Sequence, residues 1–231
     1  QLMCTTRYDS NSANSKLMKI KVILVDDHAV VRAGFKMLLA TDERIEVIAE
    51  AERGEEAMQL YNTKQPDIMV MDISMPGIGG LEAIRRIYAR DSHAKILVFS
   101  VHNEQVFINQ AIKAGAKGFI SKNSAADILV DAIQKIVNGG TYIEAGLTHT
   151  VNQDNKARQV DHHKIIDSLS SREFDVFLLL AKGKTAHKIS EELCLSYKTI
   201  ANYSTQIKKK LNVATVAELT HIALLSGMVN P

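Results

Sequence analysis

Cysteine is nearly absent from this chain: there are two, Cys4 and Cys194, far apart and without a partner motif. That usage argues against a disulfide scaffold or a structural zinc site and points to a reducing cytosol. Twelve glycines and three prolines in 231 residues are too few for a collagen-like or low-complexity sequence. No apolar run approaches the roughly 18 uninterrupted residues of a membrane span. Neither sign of charge dominates, and a net charge of +2 neither requires nor excludes a polyanionic partner. What the chain does have is 46% hydrophobic residues, enough for one or two true cores. At roughly 100–200 residues per domain, its length suits one large domain or two ordinary ones. Residues 1–17 are rich in Ser, Thr and Asn and show no period. They are not a signal peptide, because no apolar segment follows Arg7. They are expected to be a disordered leader or remnant ahead of a start at Met18.

From residue 18 the text alternates. Apolar runs at 20–25, 47–51, 68–71, 96–99 and 118–120 are separated by stretches of helical spacing at 30–39, 55–61, 81–88, 106–114 and 124–137. Five runs and five helices predict an α/β domain over 18–143, with a five-stranded, doubly wound parallel sheet covered on both faces. Ser124 and Asp127 stand at capping-box spacing for its last helix, and Gly139-Gly140 at its stop. Residues 144–167 are polar, contain three histidines, and read as a linker. Residues 168–231 carry no strand signal and predict an all-α domain of four short helices. Ser170 with Glu173 and Thr215 with Glu218 have capping-box spacing, Ser196 is a third N-cap, and Gly183 and Gly227 are stops. The second and third helices are only a few residues apart, which is helix-turn-helix spacing.

In an open α/β sheet, ligands bind beyond the carboxyl ends of the strands, near the switch in strand order. Those ends are polar here: Asp26-Asp27 after the first strand, Asp72 after the third, Ser100 at the fourth, Ser121-Lys122 at the fifth. Strands about 5 Å apart can bring these groups into one pocket. Crowded carboxylates suit a hard cation such as Mg²⁺, while a lysine and a hydroxyl suit the oxygens of a phosphoryl group. The inference is a Mg²⁺-assisted phosphoryl site with one carboxylate as acceptor. The plainer alternative is that each aspartate only caps a helix. His28 is read as the start of the first helix, and Pro76-Gly77 as turn chemistry.

The ordered stretches VILVDDHAVVRAGF, MVMDISMPGIGGLEA, ILVFS and AGAKGFISKN resemble a two-component receiver domain. The resemblance implies that Asp72 is the phosphoacceptor, that Asp26 and Asp27 with Asp72 and the Ser74 backbone carbonyl hold Mg²⁺, and that Lys122 binds the phosphoryl group. It implies further that Ser100 is a switch hydroxyl and Phe119 a switch aromatic. One position departs: many receivers have proline after the lysine, often cis, where this chain has Asn123. A non-proline cis bond costs about 2.5–4 kcal/mol, so none is expected.

In the third C-terminal helix, Ile200, Ile207 and Leu211 share one face, with Ser204 as a small residue on it. Lys198, Ala201, Asn202, Thr205, Lys208 and Lys209 lie on the other. A helix with small, amide and basic residues outward fits a major groove. From Lys164 onward there are nine basic against six acidic residues. That asymmetry is too slight to call nucleic acid alone, and an ordinary bundle with a solvated lysine face would look the same. The stretch LSSREFDVFLLLAKGKTAHKISEELCLSYKTIANYSTQIKKKLNV, however, is similar to the LuxR-type helix-turn-helix. The likeness implies base contacts from Ala201, Asn202 and Thr205. It implies phosphate contacts from Ser196, Lys198, Lys208 and Lys209, with Thr199 in the family pattern, and a dimer helix over 214–226. Tyr197 and Tyr203 are expected to pack rather than to stack on bases, and Cys194 to be a small buried residue.

Together the two resemblances imply a response regulator of the NarL/FixJ type. Its expected partners are a sensor histidine kinase, promoter DNA and a second copy of itself, with no membrane. It would accept a phosphoryl group without being a turnover enzyme. Two other readings compete. A phosphoaspartyl enzyme would need a second acid, and Asp72-Ile73-Ser74 offers none. A phosphorylation-independent DNA-binding regulator would carry a vestigial receiver.

Overall fold

The alternation of apolar runs and amphipathic stretches becomes a layered α/β domain in the computed structural model, which describes residues 19–147 and 165–229. The expected leader and most of the expected linker lie outside the described residues. In chain order the elements are β1 Ile20–Val25, α1 Ala29–Leu39, β2 Ile45–Ala51, α2 Gly54–Lys64, β3 Ile68–Met71 and α3 Gly79–Arg90. They continue with β4 Ile96–Ser100, α4 Gln105–Ala114, β5 Gly118–Ser121 and α5 Ala125–Val137. The strand order is β2-β1-β3-β4-β5-β6 and every pair is parallel. The order reverses between β1 and β3, so the ends of those two strands form the crevice that such sheets use for ligands.

The sheet corrects the expectation of five strands. A sixth, β6 Tyr142–Ile143, pairs with Gly118 and Phe119 of β5. Two residues are too short to show a period, and the glycines before them read as an end. A second correction concerns Ser124. It stands at the N-cap of α5 but makes no side-chain capping bond; its hydroxyl donates instead to Glu144 Oε1 at 2.5 Å.

Two cores flank the sheet. The smaller packs Leu39 of α1 and Leu129, Ile133 and Ile136 of α5 on one face. The larger lies under α2, α3 and α4 and continues without a break into the C-terminal helices. Those are α6 Ser171–Ala181, α7 Ala186–Glu192, α8 Tyr197–Lys210 and α9 Val216–Leu225. Their starts follow the expected caps. Ser170 and Glu173 close a reciprocal capping box, and the hydroxyls of Ser196 and Thr215 accept from the backbone N–H three residues on. Cys194 is not buried as expected. It is exposed, with φ 53°, in the turn between α7 and α8. Among the described residues there is no cis peptide bond, in line with Asn123, and no helix long and apolar enough to cross a membrane.

Gly80 fixes the turn that leaves β3. A Cβ there would lie 2.1 Å from the Asp72 carbonyl oxygen and 2.6 Å from Ile73 Cα, both backbone atoms that cannot swing aside. Gly80→Ala is therefore expected to destabilise the domain by about 1–3 kcal/mol. A lower urea midpoint with an unchanged m-value checks this; an unshifted midpoint would show that the turn yields freely.

Candidate functional site

The ends of β1, β3 and β5 meet at the switch point. Asp26 and Asp72 are almost wholly buried, as the first residues after strands that are themselves covered on both sides. Their backbones are pinned: Asp26 N–H donates to Ala51, Asp72 N–H to Val25, and the Arg32 guanidinium to the Asp26 carbonyl at 2.5 Å. Lys122 Nζ stands 2.7 Å from Asp26 Oδ2 and 2.7 Å from Asp72 Oδ2. The other carboxylate oxygens take backbone donors, His28 N–H on Asp26 at 2.8 Å and Ser74 N–H on Asp72 at 3.1 Å. Burial raises the Asp72 carboxyl above the ordinary aspartate value, and the Lys122 charge pulls against it. Burial works against the Lys122 ammonium, but its two carboxylate partners outweigh it and hold the group above the ordinary lysine value.

The remaining expected residues fall around this pair. Ser100 is wholly buried, and its Oγ accepts the His102 N–H at 3.1 Å. Phe119 is also wholly buried, within the larger core. His28 begins α1 as expected, with its Nδ1 2.9 Å from Asp27 Oδ1.

The donor chemistry fits a hard divalent cation. Asp26, Asp27, His28 and Asp72 each offer one ligand atom, all within 4.8 Å of one another. Asp26 Oδ2 and Asp27 Oδ1 are sealed from solvent and are met by single side-chain nitrogens, Lys122 Nζ and His28 Nδ1. Buried carboxylate oxygens left in that state are what a magnesium-sized ion relieves.

The C-terminal domain packs against the turn that leaves this pocket. Arg172 Nη1 of α6 donates to the Ile78 carbonyl at 2.9 Å, and Gly77 N–H donates to the Glu192 carbonyl at 2.9 Å. Phe107 of α4 meets Phe174 of α6 edge to face, with centroids 5.3 Å apart. Lys113 Nζ donates to the carbonyls of Asp167 and Leu169 at 2.7 and 2.9 Å. A cavity of about 330 Å³ lies along this seam, lined on one side by Asp27, Ser74 and Met75 and on the other by Asp175, Leu179 and Lys182.

On α8, Ile200, Ile207 and the following Leu211 point into the core. Ser196, Lys198, Ala201, Asn202, Thr205 and Lys209 are exposed, and Thr199 and Lys208 are half-buried. The expected outward set is thus one continuous face. Tyr203 packs against the core as expected, whereas Tyr197 is 62% exposed.

Residues 22–134 match the response regulator receiver domain, and residues 167–223 match the bacterial regulatory proteins of the luxR family. The chain is 39% identical over 214 residues to the response regulator UvrY of Escherichia coli K12, covering 91% of this chain and 96% of that one. The chain belongs to the response regulators of the NarL/FixJ type. It is 38% identical over 208 residues to the transcriptional activator protein ExaE of Pseudomonas putida, covering 90% of this chain and 97% of that one. Among solved structures, a LuxR-family two-component response regulator from Aurantimonas sp. SI85-9A1 is 39% identical, with a TM-score of 0.55 over 56% of this chain and 93% of that one. RcsB from Salmonella enterica serovar Typhimurium, bound to promoter rprA, shares the fold at 21% identity. Its TM-score is 0.63 over 88% of this chain and 98% of that one.

Two residues outside the expected set also stand at this region. Glu144 falls in the expected linker, yet its carboxylate accepts from Ser121 N–H and the Ser124 hydroxyl in the β5–α5 turn. Asp175 sits among the buried Phe174, Val176 and Phe177, and an acid inside such a run was the available signal. Its side chain lies against Gly79 of the receiver, with Oδ2 sealed from solvent, without a hydrogen bond, and 3.8 Å from Arg172. Burial at the seam, aided by Glu82 and opposed by Arg172, pushes its carboxyl up to about 8. In a released domain it would return to about 4. The protonated form therefore favours packing: the contribution is complete below about pH 4 and is lost as pH rises through about 8. The radius of gyration from small-angle scattering should increase from pH 5 to pH 9. Asp175→Asn, neutral throughout, should stay compact at pH 9; equal expansion in the variant would place the titrating group elsewhere.

Proposed function

We propose that this regulator accepts a phosphoryl group on Asp72 and that the acylphosphate controls promoter binding by the C-terminal domain. The observation that carries the reading is Lys122 Nζ set 2.7 Å from both Asp26 and Asp72 at the sheet's switch point. An Asp72 carboxylate oxygen attacks the phosphorus of the donor, either a kinase phosphohistidine or a small phosphodonor. A new P–O bond forms, the donor's bond to phosphorus breaks, and the leaving group takes that electron pair. Lys122 turns from the carboxylates to the equatorial oxygens of the group, and the Ser100 hydroxyl donates to it from the next strand. Asp26, Asp27, Asp72 and the Ser74 carbonyl would hold Mg²⁺, which neutralises charge on the transferring group when bound. The protein carries the group and does not turn over a substrate.

The partners follow from the two halves: a sensor histidine kinase for the receiver, double-stranded DNA for the face of α8, and a second copy of the chain in the active state. Promoter DNA as a partner places its action in the cytoplasm. Phe119 and Ser100 relay the change, and the seam at Gly77–Gly79 is where the domains part.

Intact mass after incubation with acetyl phosphate and Mg²⁺ should show one added phosphoryl group, with none in Asp72→Asn or in the presence of EDTA. A chain that stays unmodified with acetyl phosphate and unresponsive to beryllofluoride would count against the reading. It would favour a DNA-binding regulator independent of phosphorylation. On DNA, Lys198→Ala and Lys209→Ala should each weaken binding evenly across sequences and reduce the salt slope by about 1. An unchanged slope would remove those lysines from the interface.

A further inference from the structure

The segment that leaves the receiver returns to its phosphoryl site. β6 lies beside β5, and the residue after it, Glu144, donates its N–H to the Phe119 carbonyl at 3.1 Å. The Glu144 side chain then reaches the next turn. Its Oε2 accepts the Ser121 N–H at 2.7 Å and its Oε1 accepts the Ser124 hydroxyl at 2.5 Å. Between those two anchors lie only Lys122 and Asn123. Ser121 ends β5 nearly buried, and β6 has already stopped, so its N–H has no carbonyl from the next strand. The carboxylate takes that place. The turn holds further bonds of its own: Asn123 N–H to Ser121 Oγ at 3.2 Å and Lys122 N–H to the Ser100 carbonyl at 2.8 Å. No proline ring stiffens it, since Asn123 follows the lysine. It also lacks a side-chain N-cap: Ser124 has φ −107° and ψ −3°, not the extended backbone of a capping residue, and its hydroxyl points to Glu144.

We propose that Glu144 is a positioning residue of the phosphoryl site: by clamping Ser121 and Ser124 it fixes the turn that aims Lys122 at Asp26 and Asp72. The same clamp ties the chain segment running toward the DNA-binding domain to the loop that would bind the phosphoryl group. A carboxylate accepting two hydrogen bonds across two residues restricts the turn more than either bond alone, and charge-assisted bonds are the strong ones. Glu144 touches neither Asp72 nor the transferred group, so it acts only through Lys122. The inference rests on the phosphoryl reading for its consequence and on the hydrogen bonds for its cause.

The test uses the full chain and the variants Glu144→Ala, Glu144→Gln and Ser124→Ala. Glutamine can keep both contacts, its oxygen accepting the Ser121 N–H and its amide donating to the Ser124 hydroxyl. Phosphorylation of Asp72 by acetyl phosphate with Mg²⁺ should slow about 10- to 100-fold in Glu144→Ala, less in Ser124→Ala, and little in Glu144→Gln. Amide hydrogen exchange should quicken at Ser121 and Lys122 in the alanine variant while the rest of the sheet keeps its protection. Equal rates and equal exchange in Glu144→Ala would overturn the proposal. So would a glutamine variant as slow as alanine, or loss of protection across the whole sheet, which marks a merely structural role. If the unsubstituted chain takes no phosphoryl group, the phosphoryl reading fails. The exchange pattern at Ser121 and Lys122 then still decides whether Glu144 sets the turn.

Discussion

Everything at the sheet's switch point depends on one ammonium group between two buried carboxylates. Asp26 and Asp72 are brought together because β1 and β3 are neighbours in register and each aspartate is the first residue past its strand. Two buried anions at that distance repel strongly in a medium of low dielectric. Lys122 comes from two strands away and cancels part of that repulsion at 2.7 Å from each. The cancellation is incomplete: Asp27 is a third carboxylate in the same cluster. A pocket with surplus negative charge and hard oxygen donors suits a divalent ion on the function proposed.

The seam between the domains is built on the same stretch of chain. Only four residues separate Asp72 from Gly77, and the backbone groups of Gly77 and Ile78 are the ones that Glu192 and Arg172 engage. Gly79, next in line, is where Asp175 rests. The turn leaving Asp72 is therefore also the receiver's share of the interface. A change in the position of Asp72 reaches the seam through a few peptide units and needs no long pathway. The apolar part of the interface, Phe107 on Phe174 and the core around Leu169, gives the seam strength without direction; the polar contacts supply the direction.

Much of this was legible in the sequence, and the reasons are physical. Strands covered on both faces must be apolar throughout, so β1, β3 and β4 announced themselves, and polar residues directly after them stood out as a set. Helix caps in the C-terminal domain were legible because a Ser or Thr three residues before a Glu has few other uses at the edge of an apolar run. Ser124 shows the limit of that rule. The spacing to Asp127 was correct, yet the backbone at Ser124 is not extended as a cap requires, and the hydroxyl turns to a carboxylate twenty residues on. β6 and Glu144 were hidden because two residues carry no period and a glutamate in a polar stretch looks like linker. Arg172 and Asp175 could be seen as charges beside apolar positions. Arg172 donates to backbone carbonyls of another domain and Asp175 rests against a glycine there, and no local pattern points to either.

The packed arrangement limits how control over DNA can work. It buries α6, through Arg172 and Phe174, and leaves Lys198, Ala201, Asn202, Thr205 and Lys209 on α8 exposed. The lysines of one domain thus stay accessible in the packed state, and contacts of that kind give affinity without sequence preference. On the function proposed, packing acts instead on orientation. A two-fold site needs two reading helices about 34 Å apart on one face of the duplex. While α6 is held against α3 and α4, each reading helix carries a whole receiver in a fixed direction. On the function proposed, release at Gly77–Gly79 frees the helices to take up that spacing, so the regulated quantity is the geometry of a pair rather than the exposure of a single helix.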